Sequence, residues 1–251
     1  MVGCRPCLVV TLRQDNRLES FVQEQKLKST PLLMPMYPAG NLFIPATHGR
    51  LEAILKEPAE PQAATLVLHP HPLGGGTMHN KVVFRAASAL YEAGLATLRI
   101  NFRGVGQSTG VHDEGRGEQE DARVALDYLS EKYPGLAITV CGFSFGARVG
   151  MELGLADARV TNLISIGTPV DKYDFSFLKQ CRKPILFVQG ELDEFGNVDR
   201  LRALVSEVAA STDAQLVVIA NNGHFFEGGL SELKQAITDW IGRQTIAAAK
   251  V

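Results

Sequence analysis

The chain has 251 residues, of which 45% are hydrophobic and 21% are charged, and its formal net charge is −2. This length is ordinary for one α/β domain with a single large core. A near-neutral charge argues against a surface dedicated to nucleic acid or to anionic membranes, because phosphate binding usually requires a basic excess. We therefore expect a small, uncharged partner, no nucleic acid and no membrane. No cofactor is expected either.

The number and spacing of the cysteines indicate the redox state of the cellular compartment. Four cysteines are too few and too scattered for a disulfide framework, and two of them, Cys141 and Cys181, lie in or beside predicted core strands. This usage fits a reducing compartment and predicts a cytoplasmic protein. Cys4 and Cys7 form a C-x-x-C motif, but no second ligand pair or histidine cluster follows it. We predict no metal or redox role for that motif.

The first 36 residues are predicted to lie outside the domain. Residues 8–12 are apolar, but Arg13 follows at once, so the stretch is too short for a signal-peptide core or a membrane span. Residues 1–36 show no sustained hydrophobic period, which predicts either a disordered extension or a misassigned translation start. A single domain is predicted over residues 37–245, followed by a tail at 246–251.

Strand and helix patterns alternate through the predicted domain. A β-hairpin comes first, and helices and further strands follow in turn. Strands are predicted at residues 41–44, 50–56, 65–68, 95–102, 136–141, 162–166, 184–188 and 216–220. Helices are predicted at residues 81–92, 117–132, 147–155, 198–210 and 230–241. The alternation predicts a mostly parallel sheet with helices on both faces, which binds ligands at the carboxyl ends of its strands.

One motif in this pattern carries chemistry. Residues 142–146 read GFSFG, a G-x-S-x-G sequence between the strand at 136–141 and the helix at 147–155. In such a setting a sharp turn lifts the serine hydroxyl out of the sheet in a strained conformation. The flanking glycines leave room where a Cβ would strike the neighbouring strand and helix. We predict that Ser144 is a nucleophile.

A serine hydroxyl needs a base near neutral pH, usually a histidine held by a carboxylate. In this architecture the chain order is serine, acid, histidine, and of the six histidines only His224 follows Ser144. Three acids directly follow the strand at 184–188. We predict that Asp193 orients His224, and Glu191 and Glu194 remain alternatives to it.

The tetrahedral intermediate needs two N–H donors for its oxyanion. Phe145 supplies the first, as the residue after the nucleophile. The second is expected from the loop after the strand at 65–68, which reads HPHPLGGG. Its prolines have no N–H, which leaves His71 and Leu73, and we predict Leu73 because the loop parallels H-G-x-G-G oxyanion loops.

Two further features are predicted to be structural. His69 and His71 stand two apart at a strand end, but no carboxylate or cysteine nearby completes a metal site, so no metal is expected. Arg103 lies in a glycine-containing loop that lacks the spacing of a phosphate-binding loop. We expect Arg103 to pair with an acid such as Glu118 or Asp121.

With these residues identified, the chain resembles the α/β-hydrolase superfamily, in particular a small bacterial group of predicted hydrolases related to dienelactone-hydrolase-like and short-chain esterase-like proteins. The segments that carry the resemblance are HPHPLGGGTMHNKVV at 69–83, NFRGVGQSTG at 101–110, GFSFGA at 142–147, GELDE at 190–194 and NGHFF at 222–226. It covers about residues 40–243. It implies an α/β-hydrolase fold, a Ser144, Asp193, His224 triad, and an oxyanion hole formed by Leu73 and Phe145.

The segment that often carries a cap in this fold runs only from residue 167 to 183. We therefore predict a minimal lid or none, and an open site for short acyl chains. The predicted function is hydrolysis of small carboxylic esters through an acyl-enzyme on Ser144. A peptidase or thioesterase with the same triad is one alternative, and a hydrolase-like protein that binds without turnover is another. The sequence leaves the oligomeric state open.

Overall fold

A computed structural model describes residues 42–248, with side chains as far as residue 244. The predicted extension at 1–36, including the Cys4 and Cys7 motif, lies outside the described residues, as do residues 249–251 of the predicted tail. Within the described part, no helix combines the length and the apolar character that a membrane span requires.

The strands form one eight-stranded sheet in the order β1-β2-β4-β3-β5-β6-β7-β8. Their bounds are β1 Leu42–Ala46, β2 Gly49–Lys56, β3 Ala63–Leu68, β4 Leu95–Ile100, β5 Ile138–Phe143, β6 Val160–Ile166, β7 Ile185–Gly190 and β8 Ala214–Ile219. β1 pairs with β2, and β2 with β4, in antiparallel fashion, whereas all pairs from β4 to β8 are parallel. The predicted hairpin and mostly parallel sheet are confirmed.

Helices cover both faces of the sheet, as predicted. Their bounds are α1 Lys81–Glu92, α2 Arg116–Lys132, α3 Phe145–Ala156, α4 Val198–Ala209 and α5 Leu230–Ala248. Apolar side chains of α2, α3 and α4 pack into one core cluster, and those of α1 and α5 pack into the other. Because the central parallel strands are covered twice, every residue of β4 and β5 is buried, which explains their nearly continuous apolar sequences.

The helix after the serine begins earlier than its sequence pattern predicts. The apolar pattern indicates a start at residue 147, but α3 begins at Phe145, immediately after Ser144. The earlier start matters because the first N–H groups of a helix have no partner inside the helix. The N–H of Phe145 is therefore such a group, at the carboxyl end of β5.

The segment from β6 to β7 forms no cap. Residues 167–184 contain a short 3-10 turn, Ser176–Gln180, and otherwise irregular backbone. The prediction of a minimal lid is confirmed. Because β3, β5, β7 and β8 run parallel, their carboxyl ends meet at one edge of the sheet, and this segment leaves that edge open.

Candidate active site

Ser144 occupies a strained turn between β5 and α3. Its backbone has φ 57° and ψ −117°, a region that costs a residue with a side chain about 1–3 kcal/mol. Hydrogen bonds hold it there: the Ser144 N–H donates to the Ile166 carbonyl at 2.9 Å, and the Ser144 carbonyl accepts from Ala147 at 2.9 Å. The surrounding backbone thus maintains a conformation that raises the hydroxyl above the sheet.

The two glycines of the motif are required by close packing. A Cβ added to Gly142 would lie 2.1 Å from the Gly146 carbonyl oxygen. One added to Gly146 would lie 2.5 Å from the His69 carbonyl oxygen. Real Cβ atoms do not approach backbone so closely, so any larger residue would displace the turn. This is the steric reason for the G-x-S-x-G pattern.

His224 connects the serine to a carboxylate. Its Nε2 lies 2.8 Å from the Ser144 Oγ, and its Nδ1 lies 2.9 and 3.0 Å from the two oxygens of Asp193. An ionised carboxylate only accepts, so Nδ1 carries the proton and Nε2 is left to accept from the serine hydroxyl. The ring is buried, with Phe143 at 5.0 Å and Phe195 at 4.7 Å between ring centroids.

Asp193 is held in place by neutral donors. Its carboxylate accepts from the Gln189 side-chain amide at 2.9 Å and from the N–H groups of Phe195 at 2.9 Å and Gly196 at 3.2 Å. No cation contacts it among the described residues. Its negative charge is consequently available to the His224 ring.

The two alternative acids, Glu191 and Glu194, bind backbone N–H groups and not the imidazole of His224. Glu191 accepts from the Asn221 N–H at 2.9 Å, and Glu194 accepts from the backbone N–H of His224 at 3.3 Å. Both carboxylates hold the backbone of the loop that carries the histidine. Of the three acids, the structure brings only Asp193 to the imidazole.

The two predicted oxyanion donors, Phe145 and Leu73, differ in whether their N–H group is already hydrogen-bonded. Phe145 opens α3, and its N–H has no hydrogen-bond partner within residues 42–248. The structure directs the Leu73 N–H elsewhere: it donates to Nδ1 of His71 at 3.2 Å, and the Leu73 side chain is 77% exposed and does not line the cavity at Ser144. Leu73 lies in the 3-10 turn Pro72–Gly74, which directs its N–H back to the residue that caps the turn.

The other donor that the prolines allow, His71, lies beside the serine. Its N–H has no partner among the described residues, and its ring packs on Phe145 with 4.9 Å between centroids. Burial, reinforced by the nearby His112 ring, lowers the pKa of the His71 imidazole. Since Nδ1 accepts from Leu73, neutral His71 carries its proton on Nε2.

A cavity of about 500 Å³ opens at the serine. Ser144, Phe145, His71, Phe225 and Lys172 are among its lining residues. Many of its lining side chains are aromatic. Among the described residues that line it, Lys172 is the only one with a permanently charged side chain. No sequence pattern marks Lys172, which is one polar residue in an irregular segment.

His69 serves packing. The ring is buried, its Nδ1 donates to the Pro70 carbonyl at 2.6 Å, and its Nε2 accepts from the Phe102 N–H at 3.0 Å. Burial lowers its pKa to about 4. Within the described residues no group of three or more histidine, cysteine or acidic side chains could hold a metal ion.

Arg103 forms ion pairs with Asp121, as predicted, and also with Glu120, which was not predicted. It contacts Asp121 at 2.8 Å and Glu120 at 3.1 Å. Glu118 instead binds the Nδ1 of His112 at 2.8 Å. Of the two acids named in the prediction, Asp121 is therefore the partner, because Glu118 is fully buried in the first turn of α2, where it accepts from the Gly115 N–H at 2.7 Å.

Comparisons with known proteins identify the family of the chain. A family described as "Alpha/beta hydrolase domain" matches residues 63–240. An uncharacterized protein of Rickettsia prowazekii is 38% identical, over 80% of this chain and 88% of its own length. An alpha-beta serine hydrolase homologue from Coxiella burnetii is 37% identical with a TM-score of 0.75, covering 80% of this chain and 96% of that one. A Xanthomonas campestris protein, described as an a/b serine hydrolase without lid, is 33% identical with a TM-score of 0.75, covering 82% and 94%.

Proposed function

The chain belongs to the alpha/beta hydrolase family, and from this premise we propose that it is a serine hydrolase that cleaves small carboxylic esters through an acyl-enzyme on Ser144. The observation that carries the proposal is the 2.8 Å contact between the Ser144 Oγ and the His224 Nε2 at the floor of an open cavity. The relatives from Coxiella burnetii and Xanthomonas campestris, both described as serine hydrolases or homologues of them, support it.

In the first step the Ser144 Oγ attacks the ester carbonyl carbon while His224 Nε2 takes the hydroxyl proton. The imidazolium that forms faces the Asp193 carboxylate at 2.9 Å, which stabilises its charge. Collapse of the tetrahedral intermediate transfers that proton to the departing alcohol and leaves an acyl group on Ser144. Water, deprotonated by the same histidine, then releases the acid.

The oxyanion would be held by the N–H groups of Phe145 and His71. Both groups belong to residues that line the cavity, and neither donates a hydrogen bond to another acceptor within residues 42–248. The N-terminal end of α3, where Phe145 lies, also favours negative charge through the helix dipole. We assign His71 to the role that the sequence pattern suggested for Leu73.

The dimensions of the site favour small substrates. The cavity holds about 500 Å³, within the range typical of small-molecule sites, and no cap extends it. Its wall offers Phe145, Phe195 and Phe225 for contact with a short acyl chain. A peptide would need a longer groove with backbone hydrogen-bond partners.

A substrate panel tests the proposal. We expect p-nitrophenyl acetate and butyrate to be hydrolysed, with the matching p-nitroanilide and acyl-CoA thioester turned over more slowly. Ser144→Ala serves as the control for every substrate. Faster Ser144-dependent cleavage of the anilide or thioester would favour the peptidase or thioesterase alternative. A folded wild-type protein that turns over none of them would favour the binding-protein alternative.

A further inference from the structure

We infer that the substrate of the proposed esterase carries an anionic group, such as a carboxylate, which Lys172 binds at the rim of the catalytic cavity. The inference rests on the proposed function and refines its substrate class. It departs from the expectation of an uncharged partner, because that expectation came from net charge, whereas recognition depends on the charges that line the site.

The charge balance of the catalytic cavity is the first observation. Fourteen residues line it, and Lys172 alone among them carries a permanent charge. Asp193, the carboxylate that contacts His224, is buried and does not line the cavity. A substrate bound against Ser144 therefore meets one fixed positive charge and, among the described lining residues, no negative one.

The acids near Lys172 are already engaged, which is the second observation. The adjacent Asp171 accepts from the guanidinium of Arg200 and from the Asn197 N–H. The carboxylate of Asp174 accepts from both the N–H and the hydroxyl of Ser176 at 2.8 Å. No ion pair of the Lys172 ammonium occurs within the described residues.

The position of Lys172 is set by its backbone, which is the third observation. The Lys172 N–H donates to the Pro169 carbonyl at 3.0 Å, and the preceding Asp171 N–H donates to the Phe195 carbonyl at 3.1 Å. Its ammonium lies 5.5 Å from the centroid of the Phe195 ring, which also lines the cavity. The turn and the ring thus keep the charge at the rim.

A neighbouring groove meets the catalytic cavity at Lys172. This groove of about 550 Å³ shares Lys172 and Tyr173 with the catalytic cavity, so the two residues form a common wall. Its other cations are paired, Arg200 with Asp171 and Lys179 with Glu207. Lys172 is thus the unpaired cation where the two spaces meet.

The experiment compares esters that differ only in charge. Monoethyl esters of dicarboxylic acids from succinate to adipate are matched by chain length with ethyl esters of monocarboxylic acids, and hydrolysis is followed by pH-stat. An exposed ion pair contributes about 0.2–1 kcal/mol, so we expect the wild type to prefer the best anionic ester by about 1.4- to 5-fold in kcat/KM. Because the contact is remote from the reacting carbon, the preference should appear in KM.

Two substitutions and a control assign the preference. Lys172→Met should abolish it, Lys172→Glu should reverse it, and Lys179→Met, which removes the paired lysine of the neighbouring groove, should retain it. Added salt should weaken the wild-type preference. An equal or lower kcat/KM for every anionic ester, or a preference that survives Lys172→Met, overturns the inference while leaving the proposed function intact. Absence of Ser144-dependent hydrolysis of all the esters overturns both.

Discussion

Two hydroxyl–histidine–carboxylate series occur among the residues that the structure describes, and their contacts are almost the same length. In one, His224 joins Ser144 at 2.8 Å to Asp193 at 2.9 Å. In the other, His48 joins the Thr109 Oγ1 at 3.0 Å to Asp121 at 2.9 Å. Distances alone therefore do not identify a catalytic triad, and the surroundings of each series must decide.

The two hydroxyls differ in what else they contact. The Thr109 Oγ1 accepts from the Arg50 N–H at 2.7 Å and lies 3.1 Å from the Arg50 carbonyl oxygen, to which its hydroxyl donates. Thr109 thereby joins β2 to the loop after β4. The Ser144 hydroxyl contacts His224, opens into the cavity and is followed by the start of a helix.

The two carboxylates differ in charge balance. Asp121 binds the guanidinium of Arg103 at 2.8 Å and the Arg103 N–H at 2.8 Å, so its charge is already neutralised. Asp193 accepts from neutral donors and keeps its charge for the histidine. The comparison shows that a catalytic series needs a hydroxyl free to leave its proton, an acid without a competing cation, and donors for the oxyanion.

The largest contrast is expected between the two hydroxyls. Ser144→Ala should lower kcat/KM for p-nitrophenyl butyrate by about 10⁴-fold or more, because no nucleophile remains to form the acyl-enzyme. Thr109→Val keeps the shape of the side chain and should leave kcat/KM within about 2-fold, because loop packing away from the site has little effect on the transition state. Equal losses in both variants would remove the distinction between the two series.

The two carboxylates should separate activity from stability. Asp193→Asn should lower kcat by about 10³- to 10⁴-fold, since an amide favours the wrong histidine tautomer and cannot stabilise the imidazolium. Asp121→Asn should instead lower the free energy of unfolding by about 3 kcal/mol, because it leaves the guanidinium of Arg103 without its buried partner. Urea titrations and kinetics on both proteins measure the two effects. An Asp121→Asn protein of normal stability but low activity would contradict the assignment.

The oxyanion donor is tested by removing one backbone N–H. His71 has φ −51°, which proline can adopt, so His71→Pro deletes the N–H with little expected change in the backbone of that residue. We expect kcat about 10²- to 10³-fold below that of His71→Ala, which lacks the ring but keeps the N–H. Leu73→Ala, which removes an exposed side chain of the same loop and keeps its N–H, should resemble the wild type. Equal rates for the two His71 variants would mean that another N–H group is the second oxyanion donor.

A third histidine, bound to backbone groups without a carboxylate, should respond to pH through stability. His69 has a folded-state pKa of about 4, below the value near 6.5 of an unfolded chain. The unfolded state therefore binds more protons, and the stability present above pH 6.5 is lost as pH falls toward 4, by up to about 3 kcal/mol. Urea midpoints between pH 7 and 4.5 measure the slope, which should be shallower in His69→Gln. An unchanged slope in that variant would mean that other groups cause the acid sensitivity.

The sequence is sufficient for the features that follow chain order. Parallel strands carry their carboxyl ends to one edge, so an acid after β7 and a histidine after β8 had to come near the serine after β5. The fold, the hairpin and the short segment in place of a lid follow from the same alternation. Asp193 could be chosen over its glutamate neighbours only weakly, because all three follow the same strand.

The features that escaped prediction depend on the direction of single groups or on contacts between distant segments. Whether Leu73 or His71 offers a free N–H depends on the path of one 3-10 turn. The contact of His48 with Asp121 joins residues 73 positions apart, with no local pattern to indicate it. Lys172 acquires its position beside the cavity only when the irregular backbone after β6 has folded.

The most direct test of the account is the site of covalent labelling. Treatment of the folded protein with a fluorophosphonate probe, followed by intact mass and peptide mapping, should give one adduct, located on Ser144, and none on Thr109. His224→Ala should suppress the labelling, and Thr109→Val should not. An unlabelled, folded wild-type protein, or an adduct that maps to another residue, would contradict the proposal that Ser144 is the activated nucleophile.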